Sequence, residues 1–250
     1  MTATRRRTLI TGGTRGIGLA TAQRLAGEGH ELVLGYASDE EAASDARRVI
    51  ELIGGSCMTV RADVSDADGV DSLFAAATTA GRLTAVVNNA GTTLHIGPLA
   101  QTPIDVIIRV IEVNLTGAVL VARAAIRALG RSYGGDGGVL VNVSSAAATR
   151  GAAGEYVHYA AAKAGVDTLT LGLAEEVAAD GVRVVGVAPG TVRTRIHGDA
   201  GDPGRPDRVA RTTPLGRVAE PGEIAEAIAW VLSDAASFIT GTTLRVAGGR

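Results

Sequence analysis

Lysine is nearly missing from this chain. Lys163 is the only one, so 23 of the 24 Lys+Arg residues are arginines. Cysteine is as scarce. The single Cys57 excludes an internal disulfide, and its place at the start of the apolar run in GGSCMTVRADV suits a buried small hydrophobe better than a nucleophile. No sign of charge dominates. The 24 basic and 26 acidic residues leave a formal net charge of -2, with a pI near 6.1. That removes the electrostatic reason to expect nucleic acid or an anionic membrane surface. The basic cluster Arg5-Arg6-Arg7 reads as a charged lead-in to the first strand rather than a targeting signal. No apolar run approaches the roughly 18 residues of a membrane span. No signal-peptide order of charged, apolar and small-residue segments is present at the start. The expectation is a soluble, cytoplasmic protein. The four histidines, His30, His95, His158 and His197, have no ligand spacing, so no metal is expected.

What is abundant is alternation. Short β-branched runs (Arg7–Thr11, Glu31–Tyr36, Met58–Ala62, Ala85–Asn88, Gly138–Val143, Val182–Ala188, Thr243–Val246) are separated by helical stretches (Gly16–Gly27, Glu40–Ile53, Asp68–Ala80, Ile104–Leu129, Tyr156–Ala179, Pro221–Ser233). Continuous apolar runs such as VLVNV and VRVVGVA suit a parallel sheet covered on both faces. No linker, repeat or low-complexity segment breaks the pattern. One α/β domain over residues 1–250 is therefore expected, a Rossmann-like, doubly wound parallel sheet. The Gly/Pro/Arg-rich segment Arg193–Pro214 is the best candidate for a mobile substrate loop.

TLITGGTRGIGLATAQRLAGEG sets Gly12, Gly16 and Gly18 between the first strand and an amphipathic helix. Glycines at such a turn permit φ > 0 and bring backbone N–H groups to a pyrophosphate at the helix N-terminus. At the tip of the second strand, where an acid would accept the ribose hydroxyls of NAD(H), the residues are Tyr36-Ala37-Ser38, and the first acid is Asp39. Arg15 lies inside the glycine loop, where a guanidinium can pair with a 2′-phosphate. NADP(H) is expected over NAD(H), unless Arg15 points at solvent and Asp39 reaches the ribose. Asp63, at the end of the third strand, can accept from an adenine amino group with Val64 against the ring; a helix cap is the alternative role.

The order of these motifs resembles the short-chain dehydrogenase/reductase family, in its plain branch of about 250 residues. TGGTRGIG, ADV, NNAG (Asn88–Gly91), Asn114 in VIEVNLTGA, VNVSS (Val141–Ser145), YAAAK (Tyr159–Lys163) and APGTVRT (Ala188–Thr194) cover nearly the whole chain. The closest look is to members like 3-oxoacyl-carrier-protein reductase and glucose dehydrogenase. The resemblance implies a seven-stranded sheet in the order 3-2-1-4-5-6-7 and usually a homotetramer, with a dimer as the smaller possibility. It implies cofactor contacts from Gly12, Thr14, Arg15, Gly16, Ile17, Gly18, Ser38, Asp63 and Val64. Asn89, Ala90 and Gly91 would lie beside the adenosine ribose, and Pro189, Gly190, Val192 and Thr194 would bracket the nicotinamide. For NNAG a simple tight turn is the alternative reading.

Two tyrosines precede the lone lysine in GEYVHYAAAKAG. Residues four apart on a helix share a face and lie about 6 Å apart along the axis, which pairs Tyr159 with Lys163. Tyr156 stands about 10.5 Å away along the axis, with Ala160 in the partner position. A nearby ammonium favours phenolate, so the Tyr159 phenol is expected below its free value near 10. A compact ammonium can also reach ribose hydroxyls that a planar guanidinium would crowd. The family's serine commonly stands 13 residues before the tyrosine, but here that position is Ala146. One extra residue in AAATRGAAGEYVH would make Ser145 the carbonyl-polarising donor, with Ser144 on the opposite face in a supporting role. The resemblance gives Asn114 a water that relays protons from Lys163; a satisfied Asn at a helix kink is the alternative.

These residues imply hydride exchange between a nicotinamide and a carbonyl carbon, with Tyr159 as general acid/base, Ser145 as oxyanion donor, Lys163 as tuner and Asn114 as relay. A non-catalytic NADP(H) sensor on the same fold would have no use for Ser145, Tyr159 and Lys163 together. A methyltransferase would explain the glycine loop but not YAAAK. The substrate is poorly defined. Asp180 before Gly181 stands where carrier-protein reductases often have a basic residue, which argues against carrier-protein docking. His197 and the arginines of the 193–214 segment hint at a polar or anionic substrate, although solvated loop charges explain them more simply.

Overall fold

Buried β-branched runs pair in parallel when the Ala-rich segments between them cover both faces of the sheet. The computed structural model describes residues 6–250. In it the alternation becomes β1 (Arg7–Thr11), α1 (Gly16–Ala26), β2 (Glu31–Tyr36), α2 (Glu40–Leu52), β3 (Ser56–Arg61), α3 (Ala67–Thr78) and β4 (Ala85–Asn88) in the first half. The second half holds α4 (Ile104–Ile111), α5 (Gly117–Leu129), β5 (Gly138–Val143), α6 (Ala147–Arg150), α7 (Val157–Glu176) and β6 (Val182–Pro189), then α8 (Ile196–Asp199), α9 (Arg205–Ala210), α10 (Pro221–Leu232) and β7 (Thr242–Val246). The seven strands are all parallel, in the order β3-β2-β1-β4-β5-β6-β7. The chain reverses direction between β1 and β4, and ligands of such sheets bind outside the carboxyl ends of the strands at this switch point.

Side chains alternate across the sheet and build two cores. Leu9, Val33, Val86 and Leu140 face one way, against Leu73 and Phe74 of α3 and Val121 and Leu129 of α5. Ile10, Leu34, Val87 and Val141 face the other way, against Leu25 of α1, Ile50 of α2 and Ile224 and Ile228 of α10. Polar residues also bridge elements inside. Asn88 donates to Asn142 at 3.0 Å and Asn142 donates to Thr170 at 3.0 Å, a chain that fixes β4, β5 and α7 beneath the carboxyl edge. Buried amides of this kind position elements because a lost partner costs more than the bond contributes.

The structure departs from the sequence expectation in several places. β3 starts two residues early, because an edge strand's limits are set by its one neighbour and Ser56 pairs with Glu31. Cys57 on that strand is half-buried rather than buried. The expected helix over 104–129 is interrupted by a π turn at Glu112–Thr116, with Asn114 at its centre. The 193–214 segment is not an irregular loop: it contains α8 and α9, and His197 hydrogen-bonds Val192 O at 3.0 Å. Of the basic cluster, Arg5 lies outside the described residues, Arg6 pairs with Asp234, and Arg7 opens β1 with its guanidinium on Glu31 and Ala77 O. Among the described residues no helix is long and apolar enough to cross a membrane, and no cluster of ligating side chains suits a metal.

Candidate active site

The glycine loop leaves β1 with Gly12 at φ 61° and Gly16 at φ 54°, conformations that L side chains rarely adopt. Gly18 answers to space instead: a Cβ there would lie 2.1 Å from Gly12 O. The helix that follows begins with no side-chain cap and no acid in its first turn, so its first N–H groups are left for an anion. Asn89 closes the other side of the loop. Its side-chain amide donates to Thr11 O and Gly12 O, and the Thr11 hydroxyl accepts from the N–H groups of Asn89 and Ala90 at 2.9 and 3.0 Å. The NNAG turn thus braces the glycine loop.

A cavity of about 550 Å³ opens at the carboxyl edge beyond these turns. Gly12, Arg15, Gly16, Ile17, Asn89, Gly91, Pro189, Gly190, Val192 and Thr194 line one end of it. Thr14, Gly18 and Ala90 stand behind this wall and shape it without lining it; Thr14 is buried. Ser38 is exposed at the tip of β2, apart from the cavity. Asp39 caps α2 through Ala42 N and pairs with Arg195 at 2.9 Å, which hold its carboxyl below the usual range. Arg15 lies 3.6 Å from Asp199, so it does not simply point at solvent. Asp63 does not line the cavity. Its carboxylate is taken by Ser65 and, at 2.6 Å, by Arg109, and Val64 packs against Gly117 in the core. Those contacts compete directly with the adenine role expected for the pair.

The other end of the cavity is set by α7. Lys163 Nζ lies 5.8 Å from the centroid of the Tyr159 ring, one helical turn away, and donates to Val143 O at 2.9 Å. Ser145 and Ser144 both line the cavity; the Ser145 hydroxyl accepts from Ala147 N at 3.1 Å, whereas Ser144 is buried and donates to Lys163 O at 3.2 Å. Asn114 is fully buried; its amide nitrogen donates to Thr92 O and Val110 O, at 2.7 and 2.9 Å. The bond to Val110 accompanies the π turn, a distortion that recurs at functional sites. A Cβ on Gly91 would meet Asn114 Oδ1 at 2.7 Å and Lys163 Nζ at 3.5 Å, so these two polar atoms flank one glycine at the cavity wall.

Electrostatics depart from expectation at Tyr159. Burial pushes the phenol above its ordinary value; the Ser145 hydrogen bond and the Arg205 charge act the other way and do not prevail. Burial also lowers Lys163 from 10.5 to about 8. Removing both groups from water favours the neutral form of each, and this outweighs the attraction between ammonium and phenolate expected from spacing.

Three residues that the sequence did not single out complete this end. Arg205 of α9 is buried, bidentate on Glu155 at 2.7 and 3.2 Å, and donates to Thr191 Oγ1. Its guanidinium lies 5.0 Å from the Tyr156 ring centroid. That ring meets Tyr159 edge to face, with centroids 5.3 Å apart. For Arg205 and His197 the reading as solvated loop charges fails, since both are buried. The only sequence signal was the second tyrosine, three residues before Tyr159; nothing local marks Arg205 among its neighbouring arginines.

A family model described as enoyl-(acyl carrier protein) reductase matches residues 12–250. The chain belongs to the short-chain dehydrogenase/reductase family. It is 43% identical over 243 residues to the uncharacterized oxidoreductase YgfF of Escherichia coli, covering 97% of this chain and 98% of that protein. It is 42% identical to 3beta-hydroxysteroid dehydrogenase 1 of Eggerthella lenta, over 96% of this chain and 92% of that one. Identity to the cis-4-hydroxycyclohexanecarboxylate dehydrogenase of Sinomonas cyclohexanicum is 41%, with 96% and 94% covered. Levodione reductase superposes with a TM-score of 0.90 at 33% identity, over 98% of this chain and 96% of the other. This short-chain dehydrogenase/reductase is thus an oxidoreductase of a family that uses NAD(P)(H) on small molecules. The glycine loop fits such a dinucleotide: its left-handed glycines, the cradle a Cβ on Gly18 would fill and the uncapped start of α1 all suit a pyrophosphate.

Proposed function

We propose that this protein interconverts a carbonyl and a secondary alcohol with NADP(H), using Tyr159 as the general acid/base. The observation that carries this reading is the convergence of Ser145, Tyr159 and Lys163 on one cavity wall, opposite the glycine loop. Gly12, Gly16, Ile17 and the first turn of α1 would hold the pyrophosphate, and Pro189, Gly190, Val192 and Thr194 the nicotinamide end. The dinucleotide supplies or accepts the hydride. In the reducing direction Tyr159, kept protonated by burial, donates its phenolic proton to the forming alkoxide, and Ser145 donates a hydrogen bond to the same oxygen. Lys163 would hold the ribose, and a water beside Gly91 would link it to Asn114 Oδ1 for resupply of the proton. The α8–α9 segment closes the substrate side.

The preference for NADP(H) over NAD(H) is supported by Arg15 and Arg195. Both are more than half exposed, and each is held by a surface ion pair that a 2′-phosphate can replace at little cost. Asp39, already a helix cap, is poorly placed to serve a ribose. A homotetramer, or a dimer, is supported by apolar side chains left exposed on α4 and α7 (Ile104, Ile108, Leu171) and around α10 and β7 (Trp230, Phe238, Leu244). A cytoplasmic location agrees with the scarcity of cysteine.

A panel of ketones and secondary alcohols followed by nicotinamide absorbance tests the reading. Turnover with NADPH should exceed that with NADH. Tyr159→Phe should bind NADPH as the native protein does and lose about 1,000-fold or more in kcat. Near-normal turnover by that variant would refute the scheme.

A further inference from the structure

Six cationic side chains line the cavity (Arg15, Arg150, Lys163, Arg195, Arg205 and Arg250) against two acids, Glu155 and Asp199. Three of the six are neutralised: Arg15 by Asp199, Arg195 by Asp39 and Arg205 by Glu155. Lys163 belongs to the catalytic set. Among the described residues, no carboxylate side chain pairs with Arg150 or Arg250.

The backbone brings these two residues to the same side of the cavity. Arg150 ends α6, the turn that follows Ser145. Arg245 donates to Thr149 Oγ1 at 2.9 Å and also to the main-chain oxygen of Arg250, so β7 delivers residue 250 to the side of α6. Both arginines line the cavity together with Tyr156, whose ring meets that of Tyr159. Apolar side chains also line this cavity, among them Ala146, Ala147, Ala152, Ile196 and Val209. Cations left unpaired at the edge of an apolar, partly enclosed space attract an anion more strongly than they would in open water.

We propose that the substrate carries a carboxylate at the end remote from its reactive carbonyl or carbinol carbon, and that Arg150 and Arg250 receive it. Resting on the carbonyl-reductase reading above, this names its substrate class: keto acids and hydroxy acids whose two functional groups are separated by a short apolar chain or ring. The walls suit a hydrocarbon body better than a polyhydroxylated one. A carboxylate presents two oxygens to two guanidiniums, a match that a neutral ketone cannot make.

Two measurements separate this inference from the reading beneath it. The first uses methyl ketones with a terminal carboxylate two, three or four methylenes away, each paired with its methyl ester, and NADPH. At the best spacing the acid should exceed its ester in kcat/KM by about 10-fold or more, as expected for charge-assisted bonds in a partly enclosed site. Arg150→Ala and Arg250→Ala should each cut that ratio several-fold, and Arg→Lys at either position should keep part of it. Equal turnover of acids and esters would overturn the carboxylate and leave the reductase reading intact. The second is calorimetric titration of the protein saturated with NADP+ by cyclohexanecarboxylate, which cannot react. Saturable binding that weakens several-fold in both alanine variants supports the inference even if no ketone turns over. Absence of binding, or binding indifferent to both arginines, refutes it.

Discussion

At the proposed cofactor end of the cavity Gly12, Gly16, Gly91 and Gly190 present backbone, whereas at the proposed substrate end Arg150, Tyr156, Arg205 and Val209 present side chains. The first surface is made by turns at strand ends, each set by a few consecutive residues. The second is assembled from α6, α7, α9 and the chain beyond β7, which meet only through tertiary contacts. Backbone surfaces recognise what every dinucleotide shares, and side-chain surfaces can be exchanged without disturbing the fold. The proposed chemistry sits at the border, where Tyr159 and Lys163 belong to one helix and Ser145 to the strand end beside it.

Gly18→Ala attacks the backbone surface most directly. The new Cβ would be 2.1 Å from Gly12 O and 2.8 Å from Asn89 Nδ2, and neither the loop nor its brace can yield cheaply. Affinity for NADPH should fall by at least about 100-fold, and Tm by several degrees for a cost of about 2–3 kcal/mol. Fluorescence titration of NADPH and a thermal melt would check both. An unchanged cofactor affinity would mean that the loop does not define that end of the cavity.

The border is probed by Lys163. Free lysine titrates near 10.5 and the buried Lys163 near 8. Between those values the unfolded chain holds a proton that the folded chain has released, so stability rises with pH across that window. Below about pH 8 both states are charged and the cost of burying the charge stays constant. Lys163→Met has no such cost. It should be inactive yet more stable than the native protein at pH 7, by at most about 3 kcal/mol, with the gap narrowing toward pH 10. Denaturant titrations at the two pH values measure this. A gap that widens with pH would show that the ammonium is stabilised rather than strained.

The same contrast explains what could be read in advance. The limits of β1, β2, β4 and β5 agree with their apolar runs because each of these strands is buried on both faces, and the runs end where the sheet ends. Tyr159 could be paired with Lys163 because a helix converts spacing into distance. The helix-kink reading of Asn114 matches the π turn around it, but the carbonyls of Thr92 and Val110 that satisfy its amide could not be read in advance. Asp63 kept two possible roles until Arg109, 46 residues away, was seen to take its carboxylate. Arg205 was one arginine among several until Glu155, 50 residues upstream, gave it a partner. Local physics is legible in order along the chain; partners that meet across it are not.

Arg205→Met tests the side-chain surface. Methionine keeps much of the apolar stem but removes the bonds to Glu155 and Thr191 and the cation over Tyr156. Glu155 is about one-third exposed and can turn to water, so the loss of stability should be modest, about 1–2 kcal/mol. The larger effect should fall on substrate: kcat/KM down about 10-fold while NADPH affinity changes less than about 2-fold. Equal loss of both would erase the division between the two ends.

The smallest effect concerns a single dihedral angle. Ala152 lines the substrate end at φ 48°, directly after Gly151 at φ 74°, in the loop that follows α6. Alanine in the left-handed region costs about 1 kcal/mol, because its Cβ crowds the following carbonyl. Glycine would remove that cost and add freedom to the unfolded chain, which returns part of the gain. Ala152→Gly should therefore raise stability by about 0.5 kcal/mol, near 1–2 °C in Tm for a chain of this size. At the cofactor end the same conformation at Gly12 is already relieved, so Gly12→Ala should move Tm in the opposite direction. If Ala152→Gly also lowers kcat/KM without touching NADPH affinity, the left-handed alanine is holding the loop in place, and the strain at the substrate end serves to position its wall.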